Sequence, residues 1–161
     1  MAQQARKKPF EGLRVADFAW VGVGPTVSKY LADHGAEVIR IESSTYPEAL
    51  RRVGPFVNDT PNIDGSGYYA NFNSSKLCMS VNFKHPRGPE LVRRLVAKCD
   101  VVTESYTPGT MARFGFDYES LSAGRDDLLM VSMPLYGQTG PWANYMGYGH
   151  VLQAASGFNH L

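Results

Sequence analysis

Three groups of residues have types and spacings that chemistry can use. The first is Gly22-Val23-Gly24, set between an apolar run at 13–18 and a segment with helical periodicity. Backbone N–H groups at such a turn, together with the dipole of the helix that follows, can hold an anionic group. Glu42 comes about 20 residues on, the offset at which a dinucleotide-binding fold places its ribose-binding acid. The third glycine of that fingerprint is absent, since position 27 is Val27, so a tight structural turn is an equally good reading. The second group is Ser105-Tyr106-Thr107-Pro108-Gly109, between a strand end and a helix start. Tyr106 is suited to stack on a ligand, and Arg113 could reach a phosphate with its planar fork. An exposed tyrosine with a surface arginine fits the same residues. The third is Asp17, the one carboxylate placed near the end of the first strand, which is positioned to hold the following loop by hydrogen bonds.

Other reactive types are scattered. His34, His85, His150 and His160 show no metal-ligand spacing, and no metal site is expected. Cys78 falls inside a strand and Cys99 at a helix end, neither with a base beside it in sequence.

These residues need elements to position them. The run 13–18 reads as a strand. Val27, Tyr30, Leu31 and His34 fall on one helical face, with Pro25 suited to the first helical position and Gly35 to the stop. Residues 37–41 form a second strand, completing a β-α-β unit. Residues 43–70 are rich in Pro and Gly and read as a long loop, with one helical turn near 48–52. A strand at 77–82, a helix opened by Pro86, and a strand at 101–104 follow. Thr107 and Pro108 suit the N-cap and first position of a short helix ending at Gly115. Asp117 caps another helix through Leu121, residues 128–133 form a last strand, and a helical pattern starts at Val151. This alternation predicts an α/β fold, a Rossmann-like parallel sheet with helices on both faces.

Composition bounds the partners. The 161 residues carry a formal net charge of +1, which argues against nucleic acid as the main partner. No apolar run approaches the roughly 18 residues of a membrane span. Arg6, Lys7 and Lys8 read as part of a solvated tail over residues 1–11 that lacks a signal-peptide h-region. Two cysteines without paired spacing fit a reducing cytoplasm, the expected location. The sequons at Asn58 and Asn73 are then chance matches.

The ordered blocks Gly12-Leu13-Arg14-Val15-Ala16-Asp17-Phe18, Gly24-Pro25, and 31–42 (Leu-Ala-Asp-His-Gly-Ala-Glu-Val-Ile-Arg-Ile-Glu) carry a resemblance. So do Asn73-Ser74-Ser75-Lys76, residues 100–109, Gly137-Gln138-Thr139-Gly140-Pro141, Gly147-Tyr148, and Gln153-Ala154-Ala155-Ser156-Gly157. Together they resemble the amino-terminal portion of class III coenzyme A transferases, the CaiB/BaiF-like group. The resemblance implies a Rossmann-like large domain, here residues 12–161 and truncated, joined in the family to a smaller domain, with two chains interlocked like links. It implies transfer of CoA from an acyl-CoA to a carboxylic acid through anhydride and aspartyl-CoA thioester intermediates. Carried over by position, the CoA contacts are Val21, Gly22, Val23, Ser43, Val81, Ser105, Tyr106, Arg113 and Phe114. The sequence departs from the family where Ser43 replaces an arginine of some relatives, Ser105 a frequent asparagine, and Met146 a lysine. Gly149 stands in place of an acidic residue. The nucleophilic aspartate is expected beyond Leu161, so no catalytic residue is assigned within the chain. The small domain and the C-terminal return to the large domain are expected to be missing as well.

Coenzyme A or acyl-CoA is then the substrate, and a homodimer or a heterodimer with a related chain the expected assembly. Two alternatives share the resemblance. One is a non-catalytic CoA-binding subunit of a heteromeric complex. The other is a relative of α-methylacyl-CoA racemase, which places a histidine at the position of Tyr148; His150 would serve only after a register shift.

Overall fold

The computed structural model describes residues 7–161. Its strands are β1 (Arg14–Asp17), β2 (Glu37–Glu42), β3 (Leu77–Ser80), β4 (Val101–Glu104) and β5 (Leu129–Ser132). They form one sheet in the order β3-β2-β1-β4-β5, with every neighbouring pair parallel. The helices are α1 (Val23–Asp33), α2 (Gly67–Asn73), α3 (Gly88–Val96), α4 (Thr110–Phe114), α5 (Tyr118–Leu121) and α6 (Gly149–Ala155).

Side chains alternate across a strand, so each strand feeds two cores. Val15, Val38 and Val101 point to one face and pack with Ala32 and Ala36 from α1 and the turn after it. Ala16, Ile41 and Val102 point to the other and pack with Val92 and Val96 of α3, Met111 of α4, and Phe116. The expected parallel sheet with helices on both faces is therefore present. The chain builds outward from β1 through β2 to β3, then returns to the other side of β1 for β4 and β5. The strand order therefore reverses between β1 and β4, and the region beyond the carboxyl ends at such a reversal is where open α/β sheets bind ligands; it is called the crevice below.

Local signals place the element ends. Gly35 has φ +110 and its N–H donates to Ala32 O at 3.0 Å, while Ala36 N–H donates to Leu31 O at 2.9 Å. This paired stop is why α1 ends there. Several expected starts are corrected. Pro25 is the third residue of α1, still within the first turn, where its missing N–H leaves no bond unmade. The helix after β3 starts at Gly88 rather than Pro86, with Pro89 in its first turn. Thr107 and Pro108 belong to the turn before α4, whose cap is Gly109 at φ 78; Thr110 N–H donates back to Thr107 O. The long loop at 43–70 holds the expected turn at Ala49–Arg52, but it also runs into α2, capped by Ser66 accepting Tyr69 N–H at 3.0 Å. Of the segment read as a tail, residues 1–6 lie outside the described ones. Residues 8–11 form an exposed turn tied by Phe10 N–H to His34 O.

Candidate functional site at the strand-order reversal

The crevice is shaped by a row of polar side chains laid across three strands. Asp17 is in register with Arg40 on one side and Thr103 on the other. All three are buried, and their side chains lie on the α1 face. Asp17 Oδ1 accepts from Ala19 N–H at 3.0 Å and from the Thr103 hydroxyl at 2.9 Å. Its Oδ2 accepts from Ser28 Oγ of α1 at 2.7 Å and from Lys76 Nζ at 3.0 Å. Lys76 also donates to Pro25 O and Asn73 Oδ1, which ties the first turn of α1 to the end of α2. Burial pushes the Lys76 ammonium below its ordinary pKa, with Asp17 opposing the shift. Burial acts on Arg40 in the same sense, but the charges of Asp17 and Glu48 outweigh it and hold the guanidinium above its usual value.

The loop that follows β1 is fixed atom by atom. Ala19 N–H is held by Asp17, and Ala19 O accepts from Arg40 Nη1 at 2.7 Å. Trp20 N–H donates to Ser105 Oγ at 2.8 Å, and the same hydroxyl donates to Trp20 O at 3.0 Å. Val21 N–H donates to Glu48 Oε1 at 2.9 Å. The loop and the end of β4 thus act as one piece. Gly24 is buried against them: a Cβ there would lie 2.4 Å from Ala19 Cβ and 3.2 Å from Ser105 Oγ. The glycine is required by close approach, not by its own φ. Trp20 stacks on Tyr46 with centroids 5.6 Å apart, and Tyr106 sits tilted against it at 6.0 Å.

On the β4 side, Glu104 is buried and bridges two loops. It accepts from Tyr106 N–H at 2.7 Å and from Gln138 Nε2 at 3.0 Å. Beyond it opens a cleft of about 470 Å³ walled by Tyr106, Leu135, Tyr145, Met146 and Tyr148. At the far end of the rim, where β3 stops, a second cleft of about 340 Å³ is lined by Val81, Asn82, His85, Arg87, Arg94 and one carboxylate, Glu90. Among the described residues neither Arg87 nor Arg94 forms an ion pair, whereas Arg14, Arg40, Arg51 and Arg125 all do. Phe83, Phe18, Phe114 and Phe116 pack beneath this end of the rim with centroids 5.2–6.5 Å apart.

The nine residues expected to touch CoA take places along this rim. Val21, Gly22 and Val23 follow β1, Ser43 follows β2, and Val81 follows β3, buried. Ser105 and Tyr106 follow β4. Arg113 and Phe114 close α4, and Phe114 meets Phe83 at 5.2 Å. Arg113 donates to Thr110 Oγ1 at 2.8 Å and stays exposed. The Ser105 hydroxyl hydrogen is already engaged, by Trp20 O, and the Ser43 hydroxyl is hydrogen-bonded to that of Thr45 at 2.8 Å. Sequence reasoning missed Arg40, Glu48, Arg87 and Arg94. The first two are eight positions apart and meet only in the fold. Arg87 and Arg94, spaced i and i+7, carried a readable signal of one helical face. Metal-ligating clusters are absent among the described residues, and none of their helices is long and apolar enough to cross a membrane.

Two chemistries weighed from the sequence meet obstacles. Glu42, at the ribose-acid offset, has both carboxylate oxygens occupied by Arg51 at 2.8 and 3.0 Å, and one also takes the Tyr69 hydroxyl. These bonds hold Glu42 below the usual glutamate pKa although burial acts the other way. The buried thiol of Cys99 is pushed up to about 11, which leaves it inert at neutral pH.

A parallel sheet whose strand order reverses between β1 and β4, with helices on both faces, defines an α/β domain of the doubly wound class. The particular family follows from its relatives. The family model for CoA-transferase family III matches residues 10–161, and the chain belongs to that family. It is 40% identical over 156 residues to the succinate–glutarate CoA-transferase of Agrobacterium fabrum, covering 95% of this chain and 39% of that protein. It is 38% identical over 155 residues to the succinyl-CoA:glutarate CoA-transferase of Mus musculus, covering 96% of this chain and 34% of that protein. The crystal structure of a CaiB/BaiF family protein from Brucella suis superposes with a TM-score of 0.84 at 36% identity, over 94% of this chain and 40% of that one. The chain thus spans between about a third and two-fifths of the length of these relatives.

Proposed function

We propose that this chain carries the CoA-binding part of an enzyme that moves CoA from an acyl-CoA to a carboxylic acid. The observation that carries the reading is the rim itself. The cleft at the end of β3 offers two arginines without carboxylate partners, suited to phosphates. The cleft at the end of β4 offers an aromatic, apolar wall suited to an extended thiol arm. The fixed loop at 19–22 lies between them. CoA is anionic at one end and apolar along its arm, and that polarity matches the order of the two clefts.

The covalent step needs a carboxylate able to attack a thioester carbonyl and carry CoA as an aspartyl thioester. Asp17, Glu42, Glu48 and Glu104, at the strand ends, are each buried and bonded to two or more donors. Glu90 is exposed in the cleft at the end of β3, the cleft read here as taking phosphates. As the family resemblance implies, we place the nucleophile outside residues 1–161 and assign this chain binding and orientation, with no turnover by itself. The acting assembly is a dimer with a second chain, as the family resemblance implies.

Calorimetric titration of the chain with CoA, 3′-dephospho-CoA and NAD tests the reading. CoA is expected to bind and raise the melting temperature, and Arg87→Ala with Arg94→Ala to weaken it. Equal stabilisation by NAD, or affinity untouched by loss of both arginines, would overturn it.

A further inference from the structure

We infer that Glu48, clamped by Arg40, is a positioning residue that holds Val21 in a left-handed backbone conformation and so sets the shape of the CoA-facing loop. Val21 has φ 62. A β-branched residue is strained there, because its Cβ crowds the backbone, and such outliers persist only where surrounding structure over-determines them. The over-determining groups are a fully buried ion pair. Arg40 Nη2 donates to Glu48 Oε2 at 2.8 Å, and Glu48 Oε1 accepts Val21 N–H at 2.9 Å. Arg40 Nη1 holds Ala19 O at 2.7 Å, two residues earlier. One guanidinium and one carboxylate therefore grip the loop on both sides of Trp20.

The pair is itself well fixed. Glu48 starts the turn at Ala49–Arg52 and accepts Leu50 N–H at 3.4 Å. Arg40 also faces Asp17 at 3.5 Å and, through Nε, Glu42 at 3.3 Å. Burying an ion pair is costly, and hydrophobic replacements are often neutral, so its presence calls for a role other than stability. Presenting acceptors at both ends of one side chain is that role. A carboxylate satisfies Arg40 and Val21 at once. A carboxamide of the same shape turns a donor toward one of them.

This clamp rests on the CoA reading only for what the loop binds; the loop's shape is independent of it. The test uses Trp20 emission in a Trp142→Phe background, backbone hydrogen exchange at Val21, and CoA titration of the same proteins. In the parent protein, Val21 N–H is expected to be protected, unlike the partnerless first-turn amides of α1. Glu48→Gln is expected to red-shift Trp20, release Val21 N–H, and weaken CoA by about ten- to a hundredfold, the scale of one buried unpaired donor. Val21→Gly, which adopts positive φ freely, is expected to restore the Trp20 emission in the Glu48→Gln protein; emission and not affinity is its readout, because Val21 is itself an expected CoA contact. That rescue separates a positioning role from a merely structural one.

Unchanged emission and exchange in Glu48→Gln, or no rescue by Val21→Gly, overturns the clamp. If Glu48→Gln does not fold, exchange in the parent decides: a Val21 amide as fast as that of Val23 overturns it. Loss of the CoA reading looks different. The parent then binds no CoA while emission and exchange still follow Glu48 and Val21.

Discussion

The two flanks of the crevice are built in opposite ways. On the β1–β2 flank, the backbone from Ala19 to Val21 is held by Asp17, Arg40, Ser105 and Glu48, three of them fully buried. On the β5 flank, Tyr145, Met146 and Tyr148 stand 61%, 81% and 70% exposed. The first flank is ordered by the protein's own polar interior before any ligand arrives. The second offers apolar area that contributes only when something covers it. Association is weakened by whatever must be ordered at the moment of binding, so a preformed flank saves affinity that an open one cannot.

The comparison is broken most severely at Asp17. Asp17→Asn keeps the shape but turns an amide donor toward two of the four donors that the carboxylate now accepts. It also leaves Lys76 and Arg40 with less counter-charge. Removing one partner of a buried charge network costs about 3–5 kcal/mol. Urea denaturation is expected to show a loss of that size. A loss under about 1 kcal/mol would mean that the charge row does not hold this flank together, and the contrast between the flanks would lose its basis.

Gly24→Ala acts on the same flank by volume alone. The added methyl meets Ala19 Cβ at 2.4 Å, a distance real Cβ atoms do not tolerate, so α1 or the loop must shift. Overpacking of this kind costs about 1–3 kcal/mol. Trp20, one residue from the collision, should change its emission along with the stability. A stability loss with no change at Trp20 would place the strain in α1 instead of the loop.

These two positions also show what the sequence could and could not disclose. The β1-α1-β2 unit was legible because two short apolar runs flank a helical segment that Gly35 stops. The face of α1 read as packed was the wrong one: Val27 and Tyr30 are exposed, and the helix buries Gly24, Pro25, Ser28 and Ala32 instead. Asp17 was legible as a loop holder because it ends a strand just before a glycine turn. Arg40 was not. In a half-exposed strand an arginine between two isoleucines reads as solvent-facing, but β2 is an inner strand of a parallel sheet covered on both faces. There a cation must find a buried partner, and that rule points to a carboxylate without naming Glu48. The helix at Gly67–Asn73 was hidden for a simpler reason. The prolines and glycines at 47–65 dominate the window, and the capping serine, Ser66, is its one local signal. The starts of α3 and α4 were misplaced by two or three residues because proline suits the turn before a helix as well as its first position.

The smallest effect on stability belongs to the open flank. Tyr148 is 70% exposed and caps α6 without a side-chain bond, so its ring supports little of the fold. Tyr148→Ala is expected to change unfolding free energy by no more than about 0.5 kcal/mol. Its ring nevertheless forms part of the wall of the cleft of about 470 Å³. The same substitution should therefore lower the affinity for CoA, and that for a long acyl-CoA further, since the acyl chain adds apolar surface to that of the thiol arm along the wall. Isothermal titration with both ligands checks this. Equal weakening of both would mean that Tyr148 meets the shared thiol arm, and no weakening of either would move the bound arm to the Trp20 side of the crevice. A large loss of stability would instead show that the open flank is held from within, as its counterpart is, and the division between the flanks would fall.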